Sequence, residues 1–241
     1  MKQVPVSHIL FLDIETVSAF ATFSELSPEW KALWEKKAES LLRNRENETA
    51  ESVYGRAAIY AEFGRIICIS CGVLQRMPDD LHLVLKSFCC ADEKQLLRDF
   101  ADILEKWGAT PGNYLCAHNG KEFDFPWLCR RMTVHGIAIP GLLQLGGKKP
   151  WEVNHLDTME RWKFGDYKSY TSLNLLAHTL GIPTPKDDID GSMVGEVYWK
   201  EKDMNRIVTY CQKDVLTVVQ VYLRLQGEPL LNDDNIEYRA T

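Results

Sequence analysis

The sequence has no hydrophobic run long enough to cross a lipid bilayer, and its cysteines do not suit a secreted disulfide framework. A membrane-spanning helix needs about 20 consecutive apolar residues, whereas the apolar run at residues 9–12 ends at Asp13. The seven cysteines cannot all pair within the chain, because their number is odd. The first seven residues carry one lysine and are too short for a signal peptide. We therefore expect a protein of the reducing cytoplasm that does not bind membranes.

Positive charge is also in short supply. The chain has 241 residues, with 28 Lys and Arg against 34 Asp and Glu, a formal net charge of −6. This balance argues against coating duplex nucleic acid by bulk charge, because such binding depends on basic side chains that neutralise phosphates. An enzyme that contacts a few phosphates locally is still compatible with it. The hydrophobic fraction of 45% and the charged fraction of 26% are typical of a globular protein.

Hydrophobic patterning predicts a mixed sheet flanked by helices. Three strands come first and are expected to pair as an antiparallel meander, and β/α units follow them. Asp92 stands where a helix N-cap is expected. The predicted strands are residues 8–15, 65–75, 82–90, 114–117 and 154–159. One predicted helix follows Asp92, and the others cover residues 126–135, 172–180 and 201–225.

Residues 18–60 differ in character from the rest. Trp30, Leu33, Trp34 and Leu41 recur at spacings of three and four, which predicts an amphipathic helix. The segment holds few apolar residues, so we do not expect it to form a core of its own. We therefore predict a single domain over residues 1–241 that carries a helical insertion at about 18–60.

Acidic side chains stand at three points that suit catalysis. Asp13 and Glu15 are two apart at the end of the first strand, so they share one face and repel each other unless a cation joins them. Asp124 closes a polar turn between a strand and a helix, and Tyr210 and Asp214 share one face of the last helix. Taken singly, the first pair is better explained as a solvated strand end and Asp124 as a helix N-cap, whereas the last pair fits an exposed helix face as well as a functional one.

In their order and element types, the four acids together resemble the DEDD superfamily of 3′-to-5′ exonucleases. Residues 210–214 read Tyr-Cys-Gln-Lys-Asp, the Tyr-x-x-x-Asp form of the Tyr subgroup, and Thr209 excludes the His-x-x-x-x-Asp form. The chain is similar in particular to predicted exonucleases related to the proofreading domain of family B DNA polymerases. The similarity covers roughly residues 9–225 and includes the motifs Asp13–Val17, Phe63–Ile66, His118–Gly120, Leu156–Thr158 and Asp190–Ser192.

This resemblance implies a ribonuclease H-like fold and a metal-dependent 3′-5′ exonuclease. The implied reaction is hydrolysis of phosphodiester bonds by a two-metal-ion mechanism, with release of nucleoside 5′-monophosphates. The implied ions are two Mg²⁺ or Mn²⁺, hard cations that prefer oxygen ligands. The implied catalytic residues are Asp13, Glu15, Asp124, Tyr210 and Asp214, in which the four acids hold the ions and the tyrosine orients the attacking water.

Contacts to the substrate are less well specified. The resemblance implies that Thr16, Asn119 and Phe123 contact the substrate, although a turn-stabilising Asn and a core Phe are rival interpretations. Residues 161–170 interleave basic and aromatic side chains, which suits stacking and phosphate contact on a single strand. A surface loop with one or two core aromatics is the rival interpretation of that stretch.

The expected partner is a nucleic acid with a free 3′ end, single-stranded DNA in preference to RNA. An exoribonuclease and a catalytically silent nucleic-acid-binding module on the same fold stay open, because no motif specifies a contact to the 2′-hydroxyl. The sequence holds no polymerase domain, so a replication or repair partner would be a separate chain. A thiol-based Zn or redox module is disfavoured, because Cys68 and Cys71 are three apart on a strand and face opposite sides.

Overall fold

The structure, a computed structural model, describes residues 4–43, 45–78, 80–166, 170–183 and 189–239. It contains a six-stranded mixed sheet flanked by helices, as predicted. The strands are β1 (Ile9–Ser18), β2 (Gly64–Arg76), β3 (Leu81–Cys89), β4 (Tyr114–Ala117), β5 (Leu156–Asp157) and β6 (Ile236–Arg239). The helices are α1 (Pro28–Leu42), α2 (Glu93–Gly108), α3 (Asp124–Val134), α4 (Thr158–Lys163), α5 (Leu173–Thr179), α6 (Val194–Glu196) and α7 (Met204–Gln226), with a π-helical turn at Val197–Glu201. Across these described ranges, none of the helices has the length and apolarity of a membrane span.

The strand order is β5-β4-β1-β2-β3-β6. The first three strands form the predicted antiparallel meander, β4 and β5 add in parallel beside β1, and β6 pairs in parallel with β3 at the opposite edge. The prediction of a strand over 154–159 is wrong beyond Asp157. The Asp157 carboxylate accepts hydrogen bonds from the backbone N–H groups of Met159 and Glu160, so it caps α4 and ends the strand there.

Side-chain alternation along β1 places the functional residues. Leu12 packs into the core beneath α2 and α3, whereas Phe11 packs on the opposite face, where its ring lies 5.4 Å from that of Tyr222 in α7. Because residues two apart on a strand share a face, Asp13 and Glu15 continue the Phe11 face and point toward α7. This face of β1 is thus apolar at Phe11 and acidic from Asp13 onward, where the strand runs past the start of the helix.

The same alternation separates Cys68 from Cys71. Cys71 lies in the core under α2, and Cys68 lies in the cluster beside α7. The two thiols therefore face opposite sides of β2, as predicted, and they do not form a Cys-x-x-Cys metal site.

The insertion at about 18–60 has a hydrophobic cluster of its own, so the prediction that it lacks a core is wrong. Trp34 is fully buried, donates from Nε1 to the Ala50 carbonyl at 2.7 Å, and packs its ring against Tyr54 and Phe63. These aromatic residues are far apart in the sequence, so no helical or strand periodicity reveals their contact. The buried members of the cluster are Leu26, Trp34, Ala38, Val53, Tyr54, Ala57 and Phe63.

Candidate active site

The first group of the site lies between β1 and α7. One carboxylate oxygen each from Asp13 and Glu15 and the thiol of Cys211 all lie within 4.8 Å of one another. Glu15 is buried and Asp13 is half-buried, so the group opens to the surface through Asp13. The Cys211 thiol lies 3.5 Å from both the carbonyl oxygen and Oδ2 of Asp13. The end of β1 and the first half of α7 therefore build a small acidic pocket.

The other two predicted acids belong to the same place. Asp124, the first residue of α3, is buried and accepts a hydrogen bond from the Ile14 N–H, between Asp13 and Glu15 in the chain. Asp214 lies on α7, and its charge acts on all three of the other carboxylates. The structure thus brings together four acids that are up to 201 positions apart in the numbering.

These carboxylates disfavour one another's charged form. Burial raises the pKa of Asp13 and Glu15 well above the ordinary range, and the charge of Asp214 raises both further. Burial also raises the pKa of Asp124 to about 7, and Asp157 and Asp214 contribute to that rise. A group of acids in this condition binds protons, or a cation that takes their place. The pocket therefore has the electrostatics of a cation site.

Tyr210 completes the α7 side of the pocket. Burial raises the pKa of its phenol far above the usual value, and the charges of Asp214, Glu15 and Asp13 raise it further. A hydrogen bond to Asp214 works in the same direction. The hydroxyl therefore stays protonated at neutral pH and can donate a hydrogen bond, but it cannot act as a base.

Asp157 holds the backbone of the turn that precedes α3. Its carboxylate accepts from the backbone N–H groups of Asn119 and Lys121, at 3.0 and 3.2 Å, in addition to capping α4. Asn119 has a left-handed φ of 60°. Gly120 has no room for a side chain, since a Cβ there would lie 2.4 Å from the Cβ of Ala117. Asp157 thus fixes the turn that delivers Asp124.

The three residues expected to contact substrate have different surroundings. Thr16 donates its hydroxyl to the Ala58 carbonyl at 2.7 Å, so it ties β1 to the insertion. Phe123 is half-buried, with its ring 5.9 Å from that of Trp127. Asn119 Oδ1 is buried and has no hydrogen-bond partner within the described part of the chain. Asn119 therefore has an acceptor to offer, whereas the Thr16 hydroxyl is already engaged.

The basic and aromatic stretch at 161–170 is helical at its start. Arg161 and Lys163 belong to α4 rather than to a loop, and Phe164, just beyond it, is 84% exposed. Tyr167 and Lys168 lie outside the described residues. Burial raises the pKa of Tyr170, and the charge of Asp124 adds to the shift, so this phenol lies within electrostatic reach of the acidic pocket.

Sequence reasoning missed two further residues of the site. Cys211 contacts Asp13, and burial together with a hydrogen bond to Cys68 raises the pKa of its thiol. Asp157 belongs to the Leu-Asp-Thr motif, in which the sequence alone indicates no role for the aspartate. The signals were present, since Cys211 follows Tyr210 on the helix and Asp157 directly precedes a helix.

The donor chemistry fits a hard divalent cation. Carboxylate oxygens are the ligands that Mg²⁺ and Mn²⁺ prefer, and a cation would replace the protons that the raised pKa values favour. The single thiol among the donors has a raised pKa, which disfavours the thiolate that a softer metal requires. Asp13, Glu15, Asp124 and Asp214 can therefore hold such an ion.

Comparisons with known proteins bear on the family and the fold of the chain. A family model described as a predicted 3′-5′ exonuclease related to the exonuclease domain of PolB matches residues 59–234. The matched range begins after β1 and therefore does not include Asp13 and Glu15. The family B DNA polymerase from the hyperthermophilic archaeon Pyrobaculum calidifontis has a similar structure, with a TM-score of 0.51 and 16% identity over 91% of this chain. The chain spans 24% of that polymerase. Among curated proteins, none matches the sequence significantly. The structural likeness confirms the mixed α/β, ribonuclease H-like fold.

Proposed function

The chain belongs to the family of predicted 3′-5′ exonucleases related to the exonuclease domain of PolB, and on that premise we propose that it hydrolyses phosphodiester bonds at the 3′ end of a nucleic acid strand. The products are nucleoside 5′-monophosphates. The substrate in this proposal is single-stranded DNA, because the family is described by its relation to a polymerase exonuclease domain and the similar structure is that of a DNA polymerase. One domain carries the activity, with the helical insertion at its side.

The observation that carries the proposal is the convergence of Asp13, Glu15, Asp124 and Asp214. Burial and mutual repulsion raise the pKa values of the first three, which costs folding free energy at neutral pH. A fold has no structural need for such a group, whereas cations held beside an anionic phosphoryl group stabilise the charge that develops in phosphodiester hydrolysis. The arrangement supports a metal-dependent hydrolase over a silent binding module.

The four acids are the proposed ligands of two Mg²⁺ or Mn²⁺ ions. Asp13, whose pKa is raised by the charges of the other three acids, would help to hold both ions, Glu15 and Asp214 would hold the first, and Asp124 would hold the second. When bound, such ions activate a water and stabilise the leaving oxygen. The backbone N–H of Ile14 donates to Oδ1 of Asp124 and so fixes the position of this carboxylate beside Asp13 and Glu15.

Tyr210 is proposed to position the attacking water. Its protonated phenol donates its hydrogen to Asp214, so its oxygen can accept a hydrogen bond from a neighbouring water. Asn119 and Phe123 are proposed to line the pocket of the terminal nucleotide, because the turn that contains them leads directly into Asp124. The buried Oδ1 of Asn119 supplies an acceptor for a base or sugar group.

The test is a degradation assay on 5′-labelled single strands of DNA and RNA, run with Mg²⁺, with Mn²⁺ and with a chelator. We expect a ladder of products shortened from the 3′ end, formed faster on DNA and abolished by the chelator. Asp13→Asn should slow the reaction by about a thousandfold or more, since a catalytic metal ion contributes several kcal/mol and each 1.4 kcal/mol is a factor of ten.

Asp102→Asn is the matched control, because Asp102 is an exposed carboxylate on α2. It should leave the ladder unchanged. Faster degradation of RNA would identify an exoribonuclease instead. A well-folded protein that shortens neither strand with either metal contradicts the proposal and favours a silent binding module.

A further inference from the structure

A wide groove runs along the β5 edge of the sheet. It consists of two adjoining cavities of about 490 and 960 Å³ that share Lys121, Trp151, Asp157 and Glu160 as walls. Pockets for single small ligands are about 300–1,000 Å³, so the larger cavity alone reaches the top of that range. The two cavities in series therefore suit an extended ligand better than a compact one.

The groove starts beside the acidic pocket. Asn119, Lys121 and Glu122 line the smaller cavity, and Asp124 follows them as the first residue of α3. Asp157, which is also in the wall, lies close enough to Asp124 for its charge to contribute to the raised pKa of that residue. A strand with its end at the carboxylates can therefore continue into the groove.

Two aromatic side chains stand exposed along the groove. Trp151 is 70% exposed and lines both cavities, and Phe164 is 84% exposed and lines the larger one. Phe164 also has a left-handed φ of 43°, an uncommon conformation for a residue with a bulky side chain. Exposed aromatic faces beside a nucleic acid site serve as platforms on which bases stack, whatever their sequence.

The charges of the groove are complementary to a phosphate backbone. Two of its three acids are engaged within the protein, since Glu160 pairs with Lys121 at 2.6 Å and Asp157 accepts four backbone hydrogen bonds, and the third, Glu122, is exposed. Arg161 and Lys163 line the cavities, and the Lys149 ammonium lies 5.2 Å from the centre of the Trp151 ring. Basic groups thus accompany the aromatic faces, in a chain whose net charge is −6.

Resting on the proposed exonuclease function, we propose that this groove binds the single strand upstream of the 3′ end. Bases stack on Trp151 and Phe164, and phosphates contact Lys149 and Lys163. The acidic pocket then acts on the terminal nucleotide while the groove holds the strand behind it. This assigns to the β5 edge a binding function that the catalytic residues do not supply.

The first test measures binding with cleavage prevented. Fluorescence anisotropy of labelled oligonucleotides of about 3 and about 12 nucleotides, in chelator, reports the affinity of the terminal site alone and of the whole track. The double variant Trp151→Ala, Phe164→Ala should weaken binding of the longer strand by roughly tenfold for each ring and leave that of the shorter strand unchanged. Tyr238→Ala is the matched control, since Tyr238 is 53% exposed on β6 at the opposite edge of the sheet.

A second measurement does not depend on the aromatic variants. In Lys149→Gln, Lys163→Gln, the slope of log affinity against log salt concentration for the longer strand should fall by about 0.7 for each lysine that contacts a phosphate. With Mg²⁺ present, the aromatic variant should raise KM for the longer strand and leave kcat unchanged. These readouts separate binding along the groove from a loss of folding.

The outcomes distinguish the two proposals. A protein that degrades DNA, but whose aromatic and lysine variants bind the longer strand as tightly as the wild type, overturns the groove and keeps the exonuclease. A protein that degrades nothing, but loses binding of the longer strand in these variants, keeps the groove and overturns the exonuclease. An equal loss in Tyr238→Ala also overturns the groove.

Discussion

Two buried acidic centres in this protein have opposite relations to their surroundings. Glu93, at the start of α2, accepts hydrogen bonds from Nε and Nη2 of Arg131 and from the Ile66 N–H, and its Oε2 lies 2.8 Å from Nε2 of His135. Burial raises the pKa of Glu93, but the bonds from Arg131 and His135 outweigh burial and hold the pKa below the ordinary value. The fold itself therefore supplies everything this carboxylate needs.

In the acidic pocket beside α7, the pKa values of Asp13 and Glu15 are not lowered by any basic side chain in the described part of the chain. The largest charge effects on Asp13 come from the other acids, and the Cys211 thiol lowers its pKa only partly. Both centres are buried carboxylates, so burial alone does not distinguish structure from function. The difference lies in the neighbours: Arg131 neutralises Glu93, whereas the charges that act on Asp13 are those of other acids, the condition that we propose a bound cation relieves.

The strongest test of this comparison removes one carboxylate from each centre in metal-free buffer. Glu93→Ala should lower the free energy of unfolding by about 3–5 kcal/mol, because it leaves Arg131 buried without its partner. Asp13→Asn should raise the free energy of unfolding, because it relieves repulsion among the acids. Urea denaturation in chelator measures both.

The two changes should therefore act with opposite sign. If Asp13→Asn destabilises the metal-free protein as Glu93→Ala does, the acidic pocket is neutralised from within and the contrast between the centres fails. Asp102→Asn again serves as the surface control.

A smaller effect is expected from the phenol of the pocket. Tyr210→Phe removes the hydroxyl that is proposed to position water and should lower kcat by roughly a hundredfold, the scale that misplaced reactants cost. KM should change little, and so should metal affinity measured by calorimetry, since the ligands stay in place. A normal kcat in Tyr210→Phe would remove the tyrosine from the mechanism without affecting the roles of the acids.

The smallest expected effect is a difference in pH dependence. With its pKa near 7 when folded and near 3.9 when unfolded, Asp124 holds its proton more tightly in the folded state. Its contribution to stability is complete below about pH 4 and is lost as the pH rises to about 7. Asp124→Asn should therefore gain stability relative to wild type over this interval, as a Tm difference that widens as the pH rises from about 4 to about 7.

Thermal unfolding in chelator from pH 4 to 8 measures this effect. Glu93 acts in the opposite direction, because its lowered pKa stabilises the fold at higher pH and is lost as the pH falls through its folded value. Mg²⁺ should raise the Tm of the wild type more at pH 8 than at pH 5, since protons compete for the same oxygens. Parallel curves for the wild type and Asp124→Asn would contradict the assignment of the raised pKa.

The sequence was sufficient for features that depend on local periodicity. The strand at the start of the chain follows from its run of four apolar residues and the long helix α7 from spacing by threes and fours, and both form, at Ile9–Ser18 and Met204–Gln226. Those two periods also determine which side chains share a face, so Asp13, Glu15 and Tyr210 are placed correctly without knowledge of the fold. The placement of Asp124 depended on the resemblance, since a lone acid before a helix is equally a cap.

Features that depend on contacts between distant segments were missed. The insertion has a core because Trp34, Tyr54 and Phe63 meet in space, which no local pattern encodes. The strand β6 has four mostly exposed residues at an edge of the sheet, so it has little hydrophobic signal. Asp157 has its importance from backbone donors up to 38 positions away, and such hydrogen bonds leave no composition signal.

The alternation of side chains along β1 encodes the core and the reactive pocket in a single segment: the even positions pack under α2 and α3, and the odd positions pack against α7 as far as Phe11 and then line the pocket. Deleting the residue between Phe11 and Asp13 would move every later side chain of the strand to the other face. Asp13 and Glu15 would then face the hydrophobic core under α2, and Ile14 would face α7. Insertions or deletions in this stretch can therefore be accommodated only two residues at a time, whereas substitutions that leave each side chain on its face can be tolerated. The hydrophobic packing of the strand therefore keeps the two carboxylates on the face that forms the pocket.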